Sequence, residues 1–447
     1  KVKQESASLT ITGSGYDAQT INASGNNVSV VLKRNTQELA AVVVTSLNIQ
    51  RQAKELGYST AKVKAAELTQ AKVVNLANGL TGKVSGLNIQ TVNNSVFGDV
   101  RITLRGIRSL TGNNQPMLIV DGVPISLNLL NTINPNDIAD VSILKSSSAT
   151  AVYGPDGVNG AIIVTTKKGS KANPSVTFSH TTQLEKVSFM PLFQTQFGSG
   201  SSEDQYYNGV YDPIENQGYG DAFDGSLRQI GRDGPGGIQE KVTYEARPNE
   251  KKNFWATGIT NQTDVSVSLG EFYMSAQNVE IKGVMPKDIN KRISVRANTY
   301  KDFSSKFRAT VNFQYTQQKY NVNAGSSFGN GRDYSPYWNL INSPMQIPIT
   351  KYKNWQTDYF SSPDGFYNDY YYNPYWAVDN FREDGRVDNL VGNLEFSYKV
   401  APWMNVMYRI GATASSSSYK QTQGALQYSL FAKATGKSVA QTGDIPA

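Results

Sequence analysis

The sequence predicts a chain dominated by β-strands, with one mixed α/β domain of about 110 residues set in front of long, two-sided strands. Three observations carry this. The 447 residues include 25 Tyr, 17 Phe and 38 Gly but only 18% charged side chains, a mixture that favours strands and turns over long helices. Beyond Pro174, apolar and polar residues alternate with the two-residue period of a strand. Phe307, Ala309, Val311, Phe313 and Tyr315 share one face, while Arg308, Thr310, Asn312 and Gln314 share the other. Between Ser59 and Ser170 the pattern differs: AAELTQAKVVNLANGLTG supports short helices closed by Gly79 and Gly82, and KVSGLNI, MLIVDGVPI, VSILK and AIIVTTKKG read as strands.

Composition also excludes several chemistries. A net charge of +7 is too mild for a polyanion binder, so no nucleic-acid partner is expected. No run approaches the roughly 18 apolar residues of a membrane helix, which leaves open only the strand route across a bilayer. Zero Cys and the single His180 rule out disulfides, thiol catalysis and Cys- or multi-His metal sites. No catalytic residue, metal or cofactor is expected, and the chain is read as something other than an enzyme.

Taken in order, Ser8 to Lys33 holds two alternating runs, LTITGSGY and VSVVLK, too short to make a core alone. In QELAAVVVTSLNIQ, the β-branched Val42, Val43, Val44 and Thr45 form either one more buried strand or an extended peptide offered to a partner's sheet edge. After the mixed domain, Ile293 to Thr299, Leu390 to Val400 and Met404 to Ala412 repeat the alternation, with Arg296, Asn393, Glu395, Lys399, Asn405 and Arg409 on the polar faces. The run FYMSAQNVE is a poor strand for such a wall, because neither parity is cleanly apolar. These faces fit a sandwich with one wet side or a barrel with lipid outside and water inside. In the barrel, a charge at Asn312 would be tolerated where one at Val311 would not.

Two gapped motifs decide between them. The run through Arg105, Gly106, Asn114, Pro116 and Asp121-Gly122-Val123-Pro124, followed by Leu144-Lys145, Tyr153-Gly154, Asn159-Gly160 and Thr165-Thr166-Lys167, resembles the plug domain of SusC-like TonB-dependent outer-membrane transporters. Ser146 departs from the family's usual Asp, and as a possible helix cap should leave the fold intact. NFWATGITNQTDVSVSLG and RISVRANTYKDFSSKFRATVNFQY are similar to the family's early barrel strands.

The resemblance implies a membrane β-barrel, here partial against an expected 22 strands, with a mixed α/β plug in its lumen and the remnant of an N-terminal β-sandwich domain. Residues 1–36 would be the end of a carboxypeptidase-regulatory-like domain, 37–58 the TonB box and linker, 59–172 the plug, and 173–447 the first part of the barrel with its loops. That last stretch would make about ten strands, which is half a barrel, so the chain is expected to be incomplete. The implied activity is TonB-dependent import of a nutrient oligomer, glycan or peptide, across the outer membrane of a Gram-negative bacterium. The C-terminal domain of TonB would grip Val42, Val43, Val44 and Thr45, and a SusD-like surface lipoprotein would close over the barrel. The rival reading is a secreted or surface carbohydrate-binding adhesin.

Individual residues are weighed on the same basis. Arg101, Arg105 and Arg108 are candidates for ion pairs between plug and barrel. His180, on the parity of Val176 and Phe178, reads as a surface histidine. Tyr334 to Phe381 holds 15 aromatics in 48 residues and reads as a long loop, in which Trp355, Tyr359, Tyr371 and Trp376 are candidate contacts for ligand or lid, or an interfacial girdle. The loop bearing Asp212, Asp221, Asp224 and Asp233 lacks calcium-loop spacing and reads as solvated.

Overall fold

The computed structural model describes residues 7–11, 19–23, 30–31, 42–44, 50–52, 60–70, 73–91, 96–97, 100–201, 210–325 and 335–437. At the N-terminus, β1 (Ala7–Ile11) and β2 (Gln19–Ala23) form an antiparallel hairpin. Next, β3 (Val42–Val44) pairs antiparallel with β4 (Gln50–Gln52), while Thr45 lies outside the described residues.

The mixed domain begins with β5 (Thr60–Lys64), α1 (Ala65–Thr69) and α2 (Leu76–Leu80). Asn75 starts α2 by accepting the Ala77 amide at 2.8 Å, which satisfies a first-turn donor. A hairpin of β6 (Leu87–Thr91) and β7 (Val100–Leu104) follows. Then come β8 (Met117–Val120), β9 (Val123–Ile125), β10 (Ile138–Leu144), α3 (Ser146–Tyr153) and β11 (Ala161–Thr166). Ser146 is the first residue of α3 and does not cap it; the cap position is Lys145. Five strands make one sheet in the order β5-β10-β11-β8-β9, with the β11–β8 pair parallel. Every residue of β11 is buried because the sheet is covered on both faces, as a nearly continuous apolar run requires.

The remaining strands form a wall. It starts with β12 (Ser175–Glu185) and is interrupted by a long insertion containing β13 (Leu227–Ile230), β14 (Glu240–Thr243) and α4 (Glu250–Asn253). It continues through β15 (Gly258–Leu269), β16 (Phe272–Lys282), β17 (Ile289–Asp302) and β18 (Phe307–Asn323). A second insertion carries α5 (Pro336–Ile341) and α6 (Pro374–Asn380) before β19 (Phe381–Ala401), β20 (Met404–Gln423) and α7 (Leu430–Ala434). The seven wall strands pair antiparallel in the order β12-β15-β16-β17-β18-β19-β20. Among the described residues seven wall strands, not ten, arise because the two insertions fold on themselves and take up residues assigned to further strands. Short turns after β15, β17 and β19 lie at one end and the long insertions at the other, the asymmetry of an outer-membrane barrel.

The wall is polar inside and apolar outside. On β18, Val311 and Phe313 are 41% and 40% exposed, while Thr310, Asn312, Gln314 and Thr316 are buried against the mixed domain. The run FYMSAQNVE is in fact an interior strand of the wall, β16, paired on both sides. Its buried parity is Tyr273, Ser275, Gln277 and Val279, which needs hydrogen-bond partners in the inner domain and not an apolar face. Asn312 is also corrected: it is 5% exposed and its Nδ2 donates to Asn393 at 2.8 Å, so a larger charged side chain would not be tolerated there.

Arg at Phe313, deep in the outward face, should cost about 2–4 kcal/mol in lipid, and Arg at Tyr398, at the strand end, at most about 1 kcal/mol. Urea titration of the refolded variants in vesicles reads both. Equal costs would mean that the outward face does not meet a bilayer.

Candidate functional site: the seam between inner domain and wall

The polar face of the wall exists only because the inner domain answers it. At the centre is Arg296 of β17, 2% exposed, with Nη1 3.5 Å from Asp121 and Nε 3.6 Å from Asp137, and with Gln314 as a further acceptor. Asp121 is placed by a tight hairpin. Val120 pairs with Val123, and Asp121 and Gly122 both adopt positive φ, 48° and 82°, as a two-residue turn of this hand requires. The Asp121 carboxylate then accepts from the Thr166 amide at 3.0 Å and hydroxyl at 2.7 Å, which ties β8 to the end of β11. Asp137 accepts the Tyr273 hydroxyl at 2.9 Å; burial pushes its carboxyl above the usual range, against the opposing pull of Arg296.

Around this centre the seam is stitched by hydrogen bonds from side-chain amides and from Arg292. Asn298 donates to Thr166 Oγ1 at 2.8 Å and to the Lys167 carbonyl at 2.7 Å. Asn134 donates to Asp264 at 3.0 Å, and Gln277 donates to Asn134 at 2.8 Å and to Asp264 at 2.7 Å. Arg292 reaches the carbonyls of Asn131 and Val74 at 2.5 and 3.1 Å. At the far side Arg409, paired with Glu395, donates to the Gly122 carbonyl at 3.3 Å, and a Cβ at Gly122 would collide with its guanidinium. Toward the insertion end the two bodies part around a cavity of about 420 Å³ bordered by Val74, Asn131, Gln183, Asn290, Arg292 and Gln318.

The sequence placed the charge pairing on other arginines. Arg101, Arg105 and Arg108 are exposed and make no ion pair among the described residues. Arg105 has a positive φ of 64° and its amide closes onto the Gly86 carbonyl at 2.7 Å, a turn role. The buried cross-seam pairs come instead from one wall arginine, Arg296, meeting two inner-domain carboxylates, Asp121 and Asp137. The signal was present in Arg296 and Arg409 on polar strand faces and Asp121 in the DGVP motif; what was missing was their juxtaposition.

The aromatic segment is a folded unit and not an open loop. Tyr352, Phe366 and Tyr367 join Ile230, Phe254, Leu340 and Ile347 in one core, and Tyr372, Trp376, Phe381 and Tyr428 form another. Trp376 is 3% exposed, so its ring fills a core and is not a contact surface. Polar groups lock this cap: Asn373 donates to the Tyr352 and Ser361 carbonyls at 2.7 Å each, and Lys437 donates to those of Phe366 and Asn368 at 2.6 and 2.9 Å. Lys251 donates to the Ile341 carbonyl at 2.7 Å, and burial lowers its amine to about 7. Trp355, Tyr359 and Tyr371 are half-buried. Trp355, held by Asp379 at 3.0 Å, borders a cleft of about 490 Å³ with Trp255, Tyr375 and Lys353. In the acidic loop, Asp221 and Asp224 each hold Arg228 at 2.7 Å. His180 is exposed on β12 and meets Thr263 at 2.9 Å.

With this geometry, the comparisons are direct. Residues 52–161 match the TonB-dependent Receptor Plug Domain. The chain is 26% identical over 413 residues to the TonB-dependent receptor SusC of Bacteroides thetaiotaomicron, covering 86% of this chain and 37% of SusC. The chain is similar to SusC-like TonB-dependent receptors along most of its length. It is also 27% identical over 330 residues to the TonB-dependent receptor P39 of Formosa agariphila, covering 71% of this chain and 29% of P39. It therefore spans less than half the length of these curated relatives. Among solved structures, the RagAB peptide importer in its open-open state superposes with a TM-score of 0.59 at 19% identity, over 87% of this chain and 44% of that one, a likeness of fold. The inner domain is thus the plug and the wall is part of the barrel.

Removing the central cation should unseat the plug. Arg296→Met leaves Asp121 and Asp137 buried without their counter-charge, at a cost of about 3–5 kcal/mol. Limited proteolysis of the folded protein should then cut within 60–166 at protease levels that leave the wild type intact; unchanged resistance would remove Arg296 from the seating role.

Proposed function

We propose that this protein works in TonB-dependent import of a nutrient oligomer across the outer membrane of a Gram-negative bacterium, as a multi-pass barrel. The observation that carries the reading is the pairing of a seated plug on the polar face of the wall with a bare apolar face opposite. A pore stoppered by a folded domain passes no large solute until work moves the stopper, so the activity is mechanical and calls for no covalent step.

TonB would supply that work through Val42, Val43, Val44 and Thr45. In the described part of this segment, β3 has β4 on one edge only, which leaves the other edge for a partner strand by β-augmentation. The C-terminal domain of TonB is the proposed partner there. At the opposite end, a SusD-like surface lipoprotein is the proposed lid over the folded cap. Trp355, Tyr359 and Tyr371 remain as proposed contacts for ligand or lid, with the Trp355 cleft as the place for a flat ring. The proposed cargo is an oligosaccharide or an oligopeptide, for either of which the Trp355 cleft offers a stacking surface. Nothing in the geometry favours a secreted adhesin, which would have no use for an exposed apolar wall.

Deleting residues 42–45 should abolish growth on the oligomeric nutrient while leaving the amount of protein at the cell surface unchanged, because the segment lies outside the plug core. Normal growth of the deletion strain would sink the coupling role.

A further inference from the structure

On the outward face of the wall, strand register sets three basic side chains side by side. Lys291 of β17 lies opposite Lys319 of β18, and Lys319 lies opposite Arg386 of β19. All three are exposed and share the parity of Val311 and Phe313. Like charges directly opposite each other weaken strand pairing, so the row costs stability unless something negative lies against it. Carboxylates of the sheet answer only the flanks: Glu280 lies 3.5 Å from Lys291, and Asp388 lies 2.6 Å from Arg386. The central Lys319 has no ion-pair partner among the described residues. In the neighbouring row, Lys282 and Lys420 are exposed, and Asp384 is engaged by the Asn321 amide. Cations therefore outnumber carboxylates across the patch.

Its height is the second observation. Phe307 and Lys319 are the first and thirteenth residues of β18, about 40 Å apart along the strand at ~3.3 Å per residue. At the tilt of a barrel strand this is about 30 Å along the membrane normal, the thickness of the hydrocarbon core. The short turns mark the inner boundary, so the row stands at the outer headgroup level. Just below it, the Tyr315 hydroxyl donates to Asp388 at 2.5 Å, with its ring toward the apolar band, as expected of an interfacial aromatic.

We infer that Lys291, Lys319 and Arg386 form a docking site for the phosphate of an outer-leaflet lipid headgroup. The inference rests on the reading of the wall as membrane-spanning. Acyl chains lie along Ile293, Val311 and Phe313 while the phosphate sits over Lys319 and relieves the repulsion of the row by charge-assisted hydrogen bonds.

The test uses the full-length protein in nanodiscs of phosphatidylethanolamine doped with lipid A in bis-phosphorylated or dephosphorylated form, with retained lipid read by native mass spectrometry. The wild type should keep the phosphorylated lipid in preference. The Lys319→Gln/Arg386→Gln double variant should lose about tenfold of that retention, and Lys241→Gln, exposed on β14 in the insertion and off the wall, should lose little. Equal retention by the wild type and the double variant would overturn the proposal, as would displacement of the lipid by millimolar inorganic phosphate. Vesicle flotation, scored in parallel, separates the two levels: protein that never enters the bilayer overturns the membrane reading itself.

Discussion

Arg296 is the group on which the rest of the structure depends. It sits in the wall, is almost fully buried, and faces two plug carboxylates, Asp121 and Asp137, that come from separate turns of the plug sheet. A guanidinium withdrawn from water survives only with counter-charges and hydrogen bonds close by. The plug supplies these through its backbone design: the Asp121-Gly122 turn, the Thr166 end of β11 and the short turn before β10 all converge on one cation. Remove the plug, and a rank of Arg, Asn, Gln and Asp side chains on β15 to β18 would need water in its place. The wall and plug are thus folded for each other, yet joined by contacts that water can replace, which is the property required of a stopper that must move.

The same constraint explains the inverted burial. In a soluble sheet the apolar parity packs inward, whereas here it is left outside, because the solvent on that side is expected to be lipid. Among the described residues the seam is held mostly by side-chain amides and backbone carbonyls, with its buried ion pairs at Arg296. Such bonds are worth little each in net terms and exchange readily with water. A seam of this kind resists leakage through its number of contacts and would yield to the directed pull proposed to act through β3.

Much of this was legible in the sequence. The alternation in Phe307 to Tyr315 gave the parity of β18, and the DGVP and YG motifs located the hairpin and the helix end that build the plug. FYMSAQNVE was misjudged because an inward parity of Tyr, Ser and Gln looks like noise until the domain it bonds to is known. A related reason applies to the arginines: sequence shows that Arg101, Arg105 and Arg108 are near one another, but not that they make no ion pair with the described part of this wall. In the insertions, the density of aromatics was visible, yet a ring that stacks on ligand and one that fills a core have the same composition. Trp376 and Tyr352 proved to be core because Asn373, Glu240 and their neighbours close the cap around them. Only the pairing of segments distant in the chain decides that.

On the proposed function, the plug must break its seam with the wall for the oligomer to pass. These 447 residues hold no cysteine, so Thr166→Cys with Asn298→Cys would place one cysteine pair across the seam, at a contact where the native side chains lie 2.8 Å apart. Uptake of the nutrient oligomer should be lost when this disulfide is formed and restored when it is reduced, with surface levels unchanged. Full uptake with the cross-link in place would contradict the account.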